Sequence, residues 1–108
     1  MIHQKHFGLT KSISRKRKHL RAAIIRRMTR AVKQNEKTFG VPREAVLPLP
    51  FHVVLDSATE IHLRHVEGLC RANGRLVAIV FDNYDESRRT LPVTELPTGT
   101  LLAILDII

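Results

Sequence analysis

A chain of 108 residues, 44% of them hydrophobic, can build one small domain around a single core, which excludes a second core and wholesale disorder. Its formal net charge of +8 is unevenly spread: residues 1–38 carry twelve Lys or Arg against one acid, Glu36, and residues 39–108 carry six Arg against nine acids. The single cysteine, Cys70, excludes an intrachain disulfide, and no apolar run reaches the roughly 18–20 residues of a membrane span.

The first eleven residues read as a tail. They lack the apolar stretch of a secretory signal, and their Arg-rich, acid-poor character leaves an organellar transit segment as the lesser reading. Thr10, Ser12 and Ser14 are candidate N-caps. From there to Thr38 there is no Gly or Pro, and Phe39-Gly40-Val41-Pro42 supplies a helix stop. The expectation is one helix over residues 12–38, roughly 40 Å long.

At about 100° per residue, Ile13, Leu20, Ile24, Met28 and Ala31 fall on one stripe, which Ile25 and Val32 widen. Arg15, Lys16, Arg26, Arg27, Arg30, Lys33 and Lys37 fall on the opposite side as a continuous basic face. Arg17 and Arg21 lie on the apolar side, where their stems can cover apolar surface.

Residues 41–50 hold three of the five prolines and read as a linker between a basic helical arm, 1–40, and a β-rich domain, 51–108. Phe51–Leu55 and Ile61–Val66 have strand character. The competing reading over 58–72 is a helix started by the capping box Ser57-Ala58-Thr59-Glu60. Asn73-Gly74 is a hairpin signal. Arg75–Phe81 is apolar on both faces, as a central strand is, and Asp82–Ser87 is a turn. Thr90–Glu95 reads as an edge strand limited by Pro92, and the two-faced apolar run Thr100–Ile108 as a last strand. The fold class is therefore α+β: a long basic helix, then an antiparallel sheet or sandwich of about four or five strands.

The stretches Asn73-Gly74-Arg75-Leu76-Val77 and Leu91-Pro92-Val93-Thr94-Glu95-Leu96-Pro97-Thr98-Gly99, followed by an apolar terminal segment, resemble small Ig-like modules at the C-termini of secreted bacterial proteins, of the type IX secretion sorting kind. The resemblance covers residues 61–108 and implies a β-sandwich.

The basic face carries the main functional expectation. Seven cations on one side, with Arg in the majority, suit bidentate contact with phosphates and release of counterions. The bland reading is a solvated face, but such faces mix signs. No zinc-finger spacing and no aromatic RNP-like strand accompanies it, so backbone contact is favoured over base readout. The expectation is a non-enzymatic, cytoplasmic, cofactor-independent protein that binds RNA or DNA, or an accessory subunit of a nucleoprotein assembly. The alternative is an assembly module, a virion or complex component or an inhibitor, whose basic arm docks on an acidic partner, with a homo-oligomer open in either case. His3 with His6, and His62 and His65 with Cys70, match no ligand pattern and read as structural. Asp82, Asp85 and Glu86 read as turn acids, Cys70 as a small core residue, and Arg88-Arg89 either as an extension of the basic surface or as partners of the turn acids.

Overall fold

A computed structural model describes the backbone of residues 2–39, 45–57 and 63–108, and the side chains within those ranges except 2–15, 17, 39 and 57. The architecture is α+β. Helix α1 (Ile2–Phe39) precedes four strands, β1 (Leu47–Ser57), β2 (Leu63–Ala72), β3 (Arg75–Asp82) and β4 (Ser87–Pro92). A 3₁₀ turn over Val93–Glu95 leads into helix α2 (Thr98–Ile107). The strands form one antiparallel sheet in the order β1-β2-β3-β4, so of the two arrangements left open, a sheet or a sandwich, the described residues form the sheet.

Both helices lie on one face of this sheet. The core joins Ile24, Met28 and Val32 of α1 to Leu101 and Ile104 of α2 and to Val66, Leu69, Ala78 and Val80 of the central strands. Side chains alternate along a strand. The pairs flanking them, His65 with Phe81 and Cys70 with Val77, therefore stand on the other face.

Helix α1 begins at Ile2, not near residue 12, so the expected tail belongs to the helix and Thr10, Ser12 and Ser14 lie within it. Gly8 does not stop it, since one internal glycine costs only about 1 kcal/mol. Its buried residues among those described, Ile24, Met28, Val32 and Glu36, recur every four positions. Leu20, expected on the buried stripe, is exposed. The described side chains before Arg21 (Lys16, Lys18, His19 and Leu20) are all exposed. Among the described side chains, contact with the body starts at Arg21, whose guanidinium donates to Thr98 Oγ1 and to the Thr94 carbonyl, both at 2.9 Å.

Two further expectations are corrected, and of the two readings left open over 58–72 the described part takes the strand. The proline-rich segment is not all linker: Leu47–Pro50 open β1, where prolines are tolerated because an edge strand has one unpaired side. The segment 58–72 is not a helix in its described part, since β2 runs from Leu63 to Ala72, and the capping box Ser57–Glu60 lies outside the described side chains. The apolar C-terminus is a helix, not a strand. Leu101, Ile104 and Ile107 recur at helical spacing, Pro97 leads the chain in, and the Leu101 N–H donates to the Pro97 carbonyl at 3.0 Å. An apolar run this short fits either structure by periodicity alone.

The hairpin at Asn73-Gly74 is present, with φ of 53° and 74°, as a two-residue type I′ connection requires. Strand β3 pairs on both sides, as its two-faced hydropathy predicts, and β4 ends at Pro92.

Candidate nucleic-acid interface

The core fixes how α1 is rotated. With Ile24, Met28, Val32 and Glu36 turned onto the sheet and α2, residues half a turn away must face outward. Lys16, Arg26, Arg27, Arg30, Lys33 and Lys37 are all exposed. Arg15 belongs to the same helix, but its side chain lies outside the described residues. From Lys16 to Lys37 the face extends roughly 30 Å.

The one acid of the first 38 residues is turned away from this face. Glu36 is buried, and its carboxylate accepts a two-pronged contact from Arg71 of β2, 2.6 Å at Nε. That guanidinium holds the Glu36 carboxyl below its ordinary value, against burial, which pushes it up. Among the described residues, no carboxylate lies in ion-pair contact with Lys16, Arg26, Arg27, Arg30, Lys33 or Lys37.

Three acids of the sheet and its turn pair with the sheet's own arginines. Asp56 pairs with Arg64, Glu67 with Arg88 at 2.8 Å, and Asp85 with Arg89 at 3.9 Å. Arg88 and Arg89 therefore do not add free cations to the helix face. Among the described residues, the largest group of cations without an ion-pair partner sits on α1.

The acidic turn has a local role. Asp82 Oδ1 accepts from the Tyr84 N–H at 2.9 Å and Asp85 Oδ1 from the Ser87 N–H at 3.0 Å, so both carboxylates close the β3–β4 connection. Cys70 is buried on the sheet's open face, and burial pushes its thiol up, the direction of an inert thiol. His65 and Cys70 share that face, but they stand opposite Phe81 and Val77, four positions apart on β3, which holds them roughly 13 Å apart. His3, His6 and His62 lie outside the described side chains. His65 instead meets His52 of β1, a residue no local spacing pointed to: their rings stack with centroids 4.1 Å apart.

No helix among the described residues is long and apolar enough to cross a membrane. No protein-family model matches the chain, and no curated protein or solved structure matches it.

Proposed function

We propose that this protein binds nucleic acid without catalysis, by laying the outward face of α1 along a phosphate backbone. The observation that carries the reading is the exposed row Lys16, Arg26, Arg27, Arg30, Lys33 and Lys37, unpaired among the described residues while the helix's only acid is buried against Arg71. A rigid rod of cations matches a regular array of phosphates, and displaced counterions supply the driving force. Arg26, Arg27 and Arg30 add two-pronged contacts that lysine cannot make. The binding is expected to depend steeply on salt and weakly on base sequence.

The test is an anisotropy titration against duplex DNA, single strands and structured RNA at two salt concentrations. Reversing Arg26, Arg27 and Arg30 together to Glu should weaken binding at least tenfold and reduce the slope of log K against log salt by about 3. These side chains are exposed, so the fold should survive, with circular dichroism as the check. Affinity that persists through the triple reversal, or that shows no salt slope, overturns the reading.

A further inference from the structure

We propose that His52, His65 and Glu67 form a binding site for a borderline divalent metal ion of the zinc type, on the sheet face that the helices leave open. One donor atom from each residue lies within 4.8 Å of the others, and among the described residues this is the grouping of ligand-type side chains that comes together. The mixture of two imidazoles and one carboxylate is a donor set that zinc and its neighbours favour.

The second observation is the state of His65. Its side chain is only 9% exposed, yet its Nε2 has no hydrogen-bond partner. Nε2 points toward Glu67 Oε1 across 3.7 Å, too far for a hydrogen bond. Buried polar atoms are rarely left in this condition. A zinc-sized ion, bound at about 2.1 Å to each atom, would bridge that gap at an angle of ~125°.

The third observation is the backbone beneath the site. Both ladders of β2 shift register between Val66 and Gly68, leaving Glu67 without a paired residue on either neighbouring strand. In the β1–β2 ladder that break sets the β1 interval between Pro48 and Val53, which contains His52, against Glu67. Bulges re-aim side chains, and here the breaks of both ladders converge on the residues of one cluster. The bulge carries a packing demand as well, because a side chain on Gly68 would meet Val46 at 2.9 Å and the Leu47 carbonyl at 3.0 Å.

Two features shape how an ion would enter. Arg88 donates to Glu67 Oε2 at 2.8 Å and to Oε1 at 3.3 Å, so a metal on Oε1 displaces only the longer contact. The shorter one would then orient the carboxylate from behind, as outer partners of metal ligands commonly do. The stacked rings of His52 and His65 lie within 14° of parallel, and an imidazole lone pair lies in its ring plane. His52 must therefore turn to address the same ion. It is exposed on an edge strand and has room to do so.

The experiment uses the untagged full-length chain, titrated with Zn²⁺ by calorimetry and with Co²⁺ by visible absorption. Saturation at one equivalent is expected, with Co²⁺ bands of a low-coordinate site. His52→Ala and Glu67→Gln should each weaken binding tenfold or more. His52 is exposed and Glu67→Gln preserves shape, so neither result depends on a folding defect, and circular dichroism verifies this. The absence of saturable binding overturns the proposal. So does one-equivalent binding that is unchanged in both variants, which would place the ion on other histidines.

Discussion

Glu36 is where the charge pattern of α1 and its packing meet. On the helix it is one acid among twelve cations, and in the fold it is buried at the sheet with Arg71. Its carboxyl is held below the ordinary 4.5 chiefly by that guanidinium. A group depressed in the folded state binds its proton more readily when unfolded. Its contribution to stability is then complete above pH 4.5 and is lost as pH falls through the folded value. Glu67, held down by Arg88, and Asp56, held down by Arg64, act in the same direction. Urea midpoints should drop most steeply below pH 4.5. Glu36→Gln should lower the midpoint at pH 7, and the gap to the parent protein should narrow toward pH 3. A gap that keeps its width over that range would show that the Glu36–Arg71 pair is not the source of the effect.

Strand β2 is held between β1 and β3, and Gly68 marks its tightest point. A Cβ there would press on the Val46 side chain and on the Leu47 carbonyl, and the backbone atom cannot rotate away. Gly68→Ala should cost about 1–3 kcal/mol in denaturant unfolding. Gly99 in α2 is the opposite case: nothing lies within 4 Å of its would-be Cβ, and it sits in a helix. Gly99→Ala should stabilise by about 0.5 kcal/mol, since alanine loses less backbone entropy. Equal signs for the two substitutions would contradict this account.

What was legible in the sequence at this scale was what local chemistry decides. The Asn-Gly turn, the doubly apolar β3 and the rotation of the basic face all follow from neighbours a few residues apart. The strand in Leu47–Pro50 was hidden because prolines discourage a central strand and say nothing against an edge. α2 was hidden because an apolar run with no polar side does not reveal its period. Of the candidate sites, the cations of α1 could be read directly. The burial of Glu36 could not, because Arg71 lies 35 residues away. His52 was invisible because it meets His65 and Glu67 only across a strand pair.

At the scale of the molecule, α1 is both a wall of the core and the proposed binding surface. Its inward face supplies Ile24, Met28 and Val32, each essentially inaccessible to solvent, and its outward face supplies the free cations. The basic segment is therefore expected to be more than a detachable arm on a self-sufficient β-domain. Burying three such side chains contributes about 1.5–3 kcal/mol apiece. Together that is comparable to the lower part of the net stability expected of a domain this size, about 5–15 kcal/mol. A fragment of residues 45–108 would also expose Leu69, Leu101 and Ile104, which are fully buried in the intact chain. That fragment should fail to fold cooperatively: no sigmoidal urea transition and collapsed amide dispersion in the NMR spectrum. The full chain with Arg26, Arg27 and Arg30 reversed to Glu should keep both. A cooperative transition from the fragment would mean that the sheet and α2 suffice as a core, and that α1 is docked on a domain complete without it. If the fragment unfolds, function must be dissected on the surface of α1 and not by deleting it, because deletion removes the core and the cations together.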